Sequence, residues 1–257
     1  MIELVDTHCH LQFVDYPLDP EQTLIEAKKD GVVAVIAVGC TLEDSKAAVD
    51  FASKHDNVWA AIGLHPHEAK YYVHNHKALQ EFRELASKPK VVAIGEIGLD
   101  FYYNSSDSVA QEKILRFQLE MAQEFDLPVI FHIREAFEVI WPIVDEYKGI
   151  RGVVHSFSSN THDLEEILAR GLYVGLNGIM TFTKKPEQLE AAKAVPLDKL
   201  LLETDAPYLT PAPFRGKMGE SKYVRVTGEF LAQLRGESME TLANATTANA
   251  RKLFKLL

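Results

Sequence analysis

The sequence predicts an α/β protein that folds as a single (β/α)8 TIM barrel, the architecture in which chemistry lies at the carboxyl ends of the strands. Its length, 257 residues, is the usual length of one such barrel. Short apolar runs rich in Val and Ile alternate with longer amphipathic segments, which is typical of βα units around a parallel sheet buried on both faces. Eight such runs occur, and we therefore expect residues 1–257 to form one domain.

The apolar runs predict the strands, and capping residues predict where helices begin and end. The predicted strands are Leu4–Thr7, Val32–Val38, Val58–Ile62, Val91–Ile94, Val129–Ile133, Gly152–His155, Leu172–Leu176 and Leu200–Glu203. The first helix should begin after Asp19 as N-cap, with Pro20 at its first position, and end at Gly31. An apolar stripe at helical spacing predicts a later helix; its residues are Ala110, Ile114, Phe117, Met121 and Phe125.

Composition narrows the class of protein. With 47% hydrophobic and 25% charged residues, the chain has material for a folded core and is not disordered. The net charge of -10 argues against binding nucleic acid through a broad basic surface. Residues 210–225 nevertheless carry four basic residues against one acidic residue, a local charge of +3 that leaves -13 on the rest of the chain.

The two cysteines, Cys9 and Cys40, are too few for a disulfide framework and indicate a reducing cytoplasm. The first ten residues lack the pattern of a signal peptide, and no window approaches the length of a membrane span. We expect a cytoplasmic monomer with no membrane contact and no obligate protein partner.

Ionisable side chains cluster where the predicted strands end. His8 and His10 point to one face of the first strand because side chains alternate along it. Six of the ten histidines lie at predicted strand ends, namely His8, His10, His65, His67, His132 and His155. Glu96 and Asp205 follow the fourth and eighth strands. A single buried histidine is more often a hydrogen-bonded core residue, but this number at one rim favours metal binding.

Imidazole mixed with carboxylate suits zinc or manganese, and also accepts iron, nickel or magnesium. The candidates are too many for one tetrahedral site. Two ions roughly 3.5–4 Å apart, bridged by one carboxylate, would use them and leave positions for water and substrate. Glu96, from a middle strand, is the expected bridge.

The same strand ends carry motifs of a known family. They are Asp6-Thr7-His8-Cys9-His10-Leu11, Gly63-Leu64-His65-Pro66-His67, Gly95-Glu96-Ile97-Gly98-Leu99-Asp100, His155-Ser156-Phe157 and Glu203-Thr204-Asp205-Ala206-Pro207-Tyr208-Leu209. These motifs resemble the TatD family of metal-dependent deoxyribonucleases, within the metallo-hydrolase barrel superfamily. The resemblance extends from Asp6 to the final helix, and the intact His8-x-His10 is similar to the branch that keeps both metal sites.

The resemblance implies two divalent ions and their ligands. One ion would be held by His8, His10, Glu96 and Asp205, and the second by Glu96, His132 and His155. It also implies a deoxyribonuclease that cleaves phosphodiester bonds with metal-activated water, as an exonuclease on single-stranded DNA ends.

Catalytic roles are predicted for Asp205, Glu96 and His65. Asp205 would accept a proton from the attacking water as general base; the alternative is a helix N-cap before Ala206-Pro207. His65 would contact the scissile phosphate or the leaving oxygen; the alternative is a loop imidazole beside Pro66.

Other residues are predicted to support the site. His67 and Asp100 would orient the metal ligands. Arg215 would bind a substrate phosphate through paired hydrogen bonds, and the family resemblance points to the same position. Lys184 and Lys185 are more simply an exposed pair. Stacking on bases or core packing is expected for the aromatic residues Tyr102, Tyr103, Phe157, Tyr208 and Phe214.

Two other classes of function stay open at this point. The first is a different hydrolase on the same scaffold, such as a D-aminoacyl-tRNA deacylase or a small-molecule amidohydrolase, because a fold does not choose its substrate. Arg215, and the lack of a strand-end lysine suited to carbamylation, favour a phosphodiester. The second is a non-catalytic binding or scaffold protein whose histidines are structural.

Overall fold

The computed structural model describes residues 2–103 and 105–256. Within this part of the chain, eight strands form one sheet in the order of the sequence, and helices alternate with them. This is the topology of a (β/α)8 barrel, as the sequence predicted. Contacts divide the chain into two compact units, the described residues of Met1–Ile36 with Ser156–Leu257, and Ala37–His155.

All of the predicted strands are present. They are β1 (Leu4–Cys9), β2 (Val32–Val38), β3 (Val58–Ile62), β4 (Val91–Asp100), β5 (Val129–Arg134), β6 (Gly152–Val154), β7 (Tyr173–Leu176) and β8 (Leu200–Leu202). The helices are α1 (Pro20–Lys29), α2 (Leu42–Ser53), α3 (Ala69–Tyr72), α4 (His76–Leu85), α5 (Ser108–Glu124), α6 (Phe137–Val144), α7 (Thr161–Ala169), α8 (Pro186–Ala194), α9 (Val224–Arg235) and α10 (Met239–Phe254). Ten of the 16 strand ends lie where they were predicted and five move by one or two residues, but β4 is six residues longer because the predicted strand stopped at Ile94.

Helix boundaries follow the predicted capping chemistry. The Asp19 side chain accepts a hydrogen bond from the backbone N–H of Glu21 at 3.0 Å, and Pro20 is the first residue of α1. The helix ends at Lys29 with Asp30 as its C-cap, and Gly31 follows with φ of 91°, a conformation that glycine adopts without strain. In α5, Ala110, Ile114 and Met121 are buried, so this stripe belongs to the core.

In the second unit, β4 is buried at all ten positions and pairs in parallel with β3 and β5. Its register with β5 shifts between Gly95 and Ile97, so Glu96 is an extra residue opposite that strand. Such β-bulges re-aim side chains beside functional sites. Further along, Gly98 has φ of 152°, and a Cβ there would overlap the carbonyl oxygen of His132. Only glycine therefore allows β4 and β5 to approach this closely.

In the first unit, β7 pairs in parallel with β8, and α10 packs behind β1 and β8. The Asn249 amide on α10 donates hydrogen bonds to the carbonyl oxygens of Leu197 and Leu200, each at 2.9 Å. The Thr247 hydroxyl donates to the carbonyl oxygen of Glu3 at 2.8 Å. This helix therefore fixes the ends at which both strands begin.

Two further findings bear on the predictions. Cys9 and Cys40 do not form a disulfide; the first is buried and the second half-buried. Among the residues that the structure describes, no helix combines the length and apolar character needed to span a bilayer.

Candidate metal centre

Three predicted ligands of the first unit lie together. The Nε2 atoms of His8 and His10 are 3.2 Å apart. Asp205 Oδ1 lies 3.6 Å from the first of these nitrogens and 3.3 Å from the second. His8 is fully buried, and His10 is 3% exposed. We call His8, His10 and Asp205 the first donor group.

Backbone pairing at the ends of β1 and β8 fixes this group. The N–H of Asp205 donates to the carbonyl oxygen of His8 at 2.8 Å, and the N–H of His10 donates to that of Ala206 at 2.7 Å. Asp6 accepts hydrogen bonds from the N–H of Thr204 at 2.9 Å and from its hydroxyl at 2.6 Å. Complete burial raises the pKa of Asp6 to about 7, against the lowering effect of the hydrogen bonds to Thr204 and Ser221.

The structure rejects the alternative role of Asp205 as a helix N-cap. Asp205 has φ of 62° and lies in the turn that follows β8. Past this turn, the chain runs through an irregular segment to a short 3-10 helix at Ser221–Tyr223 and then to α9. The carboxylate is therefore turned toward the histidines by the local backbone and not by a helix terminus.

The second unit holds the other predicted ligands, grouped around the Glu96 bulge. Glu96 Oε1 lies 2.8 Å from Nδ1 of His132 and 3.6 Å from Nε2 of His155. His65 Nε2 is 3.7 Å from the same oxygen, and one donor atom each from His65, Glu96 and His132 lie within 4.8 Å of one another. We call Glu96, His132 and His155 the second donor group, with His65 beside it.

Asp100, at the end of β4, contacts His132 of this group and the neighbouring His67. Its Oδ2 lies 3.0 Å from Nε2 of His132 and 2.9 Å from Nε2 of His67. Burial lowers the pKa of His132, but the hydrogen bonds to Asp100 and Glu96 together have the larger effect and raise that pKa to about 8. Burial raises the pKa of Asp100, but hydrogen bonds to His132 and to the N–H of Tyr103 outweigh it and leave that pKa well below its usual range. Asp100 is therefore an ionised acceptor for both imidazoles.

His65 is a neutral imidazole. Burial, followed by the nearby positive charge of His132, lowers its pKa to about 3. Its Nδ1 accepts a hydrogen bond from the N–H of His67 at 3.2 Å, at the start of the short 3-10 helix Pro66–Glu68. Because Nδ1 is an acceptor there, the proton of the neutral ring is on Nε2, the atom that faces Glu96. His65 is thus a hydrogen-bond donor toward the site.

Comparison with known proteins assigns the family. The model of the family described as TatD related DNase matches residues 5–255. The chain belongs to this family. An uncharacterized metal-dependent hydrolase of Bacillus subtilis, YabD, is 36% identical over 98% of this chain and 99% of the relative. A protein of Pectobacterium carotovorum named 3'-5' ssDNA/RNA exonuclease TatD is 35% identical over 98% of this chain and 100% of the relative.

Solved structures agree with this assignment. The crystal structure of YJJV, a TatD homolog from Escherichia coli, superposes with a TM-score of 0.92 at 29% identity, covering 99% of this chain and 98% of the other. The (β/α)8 barrel and the family membership predicted from the sequence motifs are confirmed. This TatD-family chain is a metal-dependent hydrolase.

The donor sets of the TatD-family chain fit divalent ions. Two nitrogens bound at about 2.0–2.1 Å in a tetrahedral arrangement lie roughly 3.3 Å apart, close to the 3.2 Å between Nε2 of His8 and of His10. In the second group, His132 presents Nδ1 to Glu96 and Nε2 to Asp100. An imidazole that binds metal through one nitrogen commonly holds a carboxylate with the other. Histidine with carboxylate is the donor chemistry of zinc and manganese.

The residues that were predicted to contact the substrate differ in their exposure and in the side chains next to them. The Arg215 guanidinium lies over the ring of Phe182 with 3.7 Å between its carbon and the ring centroid, which leaves the planar cation on an exposed loop. Phe157 is 3% exposed and belongs to the core, whereas Tyr208 is 54% exposed. Tyr208 makes an edge contact with His10 at 6.3 Å between centroids. Lys184 and Lys185 are exposed.

Two residues beside the second donor group were absent from the predicted site. Cys40 follows β2, and its Sγ lies 3.9 Å from Glu96 Oε2; its position just after a buried strand was the available signal. Arg134 ends β5 two residues after His132. Alternation along the strand places both on one face, so the spacing alone indicates that Arg134 belongs to this rim.

Proposed function

We propose that this chain is a metal-dependent phosphodiesterase that removes nucleotides from the ends of single-stranded DNA. The observation that carries the proposal is the similarity, along nearly the whole chain, to a relative named as a 3'-5' ssDNA/RNA exonuclease. The acidic net charge of -10 is consistent with this substrate, because an acidic exterior disfavours wrapping of a duplex but not capture of a strand end.

Two divalent ions are proposed, one for each donor group. His8, His10 and Asp205 would hold the first ion, and Glu96, His132 and His155 the second. That Glu96 also contributes to the first ion, as the family resemblance implies, stays a prediction. When bound, such ions neutralise charge on the phosphate oxygens and make water a competent nucleophile at neutral pH.

The side chains of the protein then handle the protons. Asp205 is proposed to accept the proton of the attacking water at its carboxylate, as general base. His65, neutral and with its proton on Nε2, is proposed to donate a hydrogen bond to the scissile phosphate or to the leaving oxygen. Asp100 holds His67 and His132 in place while charge develops. Arg215 is proposed to bind a phosphate of the strand.

The test is a metal-dependent digestion with defined substrates. Single-stranded and double-stranded DNA, labelled at the 3' or 5' end, and single-stranded RNA are incubated with metal-free protein, and Zn²⁺, Mn²⁺, Mg²⁺, Ni²⁺ or Fe²⁺ is then added back. We expect stepwise shortening of single-stranded DNA that stops with chelator and returns with metal. Glu96→Ala should abolish it, while Glu120→Ala, an exposed carboxylate on α5, should retain it.

A parallel arm separates the proposal from its rivals. D-aminoacyl-tRNA and a small amide substrate are offered to the same metal-loaded protein. Release of the aminoacyl group or hydrolysis of the amide, with no cleavage of any nucleic acid strand, would contradict the exonuclease assignment and leave the metal-dependent hydrolase intact. DNA cleavage that survives in Glu96→Ala would show that the activity belongs to a contaminant.

A further inference from the structure

An exposed cluster of two tyrosines and one arginine lies beside the second donor group. The Arg134 guanidinium carbon is 4.1 Å from the ring centroid of Tyr102 and 4.6 Å from that of Tyr103. The two rings meet edge to face with centroids 4.8 Å apart. Tyr102 is 54% exposed and Tyr103 58% exposed. We call Tyr102, Tyr103 and Arg134 the aromatic–arginine patch.

The backbone under the patch is fixed. Asp100 and Arg134 are register partners in the β4–β5 ladder, and the N–H of Phe101 donates to the carbonyl oxygen of Arg134 at 3.0 Å. Asp100 Oδ1 accepts hydrogen bonds from the N–H groups of Tyr102 and Tyr103, each at 3.0 Å. The backbone that carries the two exposed rings is therefore held at a defined place on the surface.

The patch is tied directly to the candidate metal centre. The Tyr103 ring makes an edge contact with His67 at 5.5 Å between centroids. Asp100 Oδ1 accepts the hydrogen bonds from the backbone of the patch, and Oδ2 contacts His67 and His132. One carboxylate thus sets both the orientation of a candidate metal ligand and the position of the patch. His67, which the Tyr103 ring contacts, is 6.2 Å from His132 between ring centroids, so one side chain separates the patch from the second donor group.

The chemistry of the patch matches an unpaired nucleotide. Exposed tyrosine rings offer flat apolar faces to a base, and such stacking needs a base that is free of its duplex partner. Arg134 adds a permanent positive charge and a set of N–H donors suited to a phosphate oxygen. Apolar packing is no explanation for rings that are more than half exposed, whereas it accounts for Phe157 at 3%.

We propose that the aromatic–arginine patch is the subsite that selects single strands, with Tyr102 and Tyr103 stacking on an unpaired base and Arg134 contacting the neighbouring phosphate. This inference rests on the proposed function, since it assigns a subsite to the nucleic acid that the centre would cut. Tyr102, Tyr103 and Arg134 are specificity-determining residues in this proposal and hold no metal.

The experiment compares an oligodeoxynucleotide with copies that carry one abasic residue, placed in turn at each of the last four positions. For the wild type, one abasic position should raise KM about tenfold or more. Tyr102→Ala and Tyr103→Ala should raise KM on the intact strand by a similar factor and remove the penalty of that abasic position. Arg134→Gln should raise KM on intact and abasic strands alike, while kcat changes little.

Matched variants control for folding and for general charge. Tyr102→Phe keeps the ring and should behave as wild type. Tyr71→Ala removes a tyrosine that is 63% exposed and pairs with Lys70 at 5.0 Å in the same unit, so it should leave KM unchanged. Quenching of 2-aminopurine in a strand bound in the presence of chelator gives a second readout that needs no turnover, and it should be lost in Tyr102→Ala and kept in Tyr102→Phe.

The two proposals fail in different ways. If the wild type shortens single-stranded DNA but Tyr102→Ala and Tyr103→Ala keep its KM and its abasic penalty, the subsite is wrong and the exonuclease assignment stands. If the wild type neither cleaves nor binds any strand, the proposed function is wrong. Equal loss in Tyr102→Phe and Tyr102→Ala would also overturn the subsite, because stacking does not need the hydroxyl.

Discussion

Asp100 and His132 are joined through a single contact, with Oδ2 of the carboxylate 3.0 Å from Nε2 of the imidazole. The opposite ring nitrogen, Nδ1, lies 2.8 Å from Glu96 Oε1. The imidazole of His132 therefore links Glu96, a member of the second donor group, to Asp100, which lies outside the group. Replacing Asp100 with asparagine removes its charge and tests its role while Glu96 stays in place.

Asp100→Asn is expected to weaken metal binding by the second donor group about 10- to 100-fold, because loss of a carboxylate that orients a ligating histidine has effects of this size. The affinity is measured by competition with a chromogenic chelator. Asp107→Asn is the matched control, since Asp107 caps α5 and an asparagine caps equally well. Equal metal affinity in Asp100→Asn and wild type would contradict the role given to Asp100.

His10→Ala is expected to empty the first donor group and leave the second loaded. Nε2 of His10 lies 3.3 Å from Asp205 Oδ1, so its loss removes one of the nitrogen donors from that group. Metal content by inductively coupled plasma mass spectrometry should fall from about two ions to about one per chain, in line with one ion per donor group. His74→Ala, at an exposed site, should keep both ions. Full occupancy in His10→Ala would show that His10 is not a ligand.

Gln118→Ala is expected to lower the free energy of unfolding by about 2–4 kcal/mol through unsatisfied buried groups and a cavity. The buried Gln118 amide accepts from the N–H of Leu64 at 2.7 Å and donates to the Leu64 carbonyl oxygen at 3.1 Å. Urea unfolding measures the change. Gln123→Ala on the same helix removes an exposed hydrogen bond to Lys148 and should cost less than about 0.5 kcal/mol. Equal costs for the two variants would refute the account.

Arg215→Ala is expected to weaken binding of single-stranded DNA while metal content stays unchanged. A phosphate contact contributes to affinity through counterion release. Without it, the plot of log K against log salt should become less steep by about one. Fluorescence anisotropy over a salt series measures it. Arg225→Ala, which removes an ion pair with Glu229 at 2.9 Å, is the control and should keep the slope. An unchanged slope in Arg215→Ala would remove Arg215 from the binding surface.

The sequence predicted those parts of the site that depend on local periodicity. His8 and His10 share a face because the side chains of β1 alternate, and Asp19 and Pro20 begin α1 because their chemistry is local. The strand β4 was predicted too short, since Gly95 and Gly98 weaken the β pattern. The structure continues through a bulge that places Glu96, and a bulge has no dependable signal in one sequence.

Tertiary contacts explain what the sequence left open. Tyr102 and Phe157 both follow buried strands, yet the first is 54% exposed and the second 3% exposed. The difference depends on which segments cover each strand end, and no local pattern encodes that. The same holds for Arg134, whose contacts with Tyr102 and Tyr103 arise from the pairing of β5 with β4.

The hydrogen bond from the N–H of Thr204 to Asp6 joins residues 198 positions apart. During synthesis the ribosome therefore releases His8 and His10 long before Asp205 exists, and contacts of such sequence separation form late. A nascent chain carries two of the three residues of the first donor group and lacks the carboxylate that completes it. Translation products that stop before residue 200 lack that carboxylate permanently, so the order of synthesis itself keeps incomplete chains from forming the first donor group.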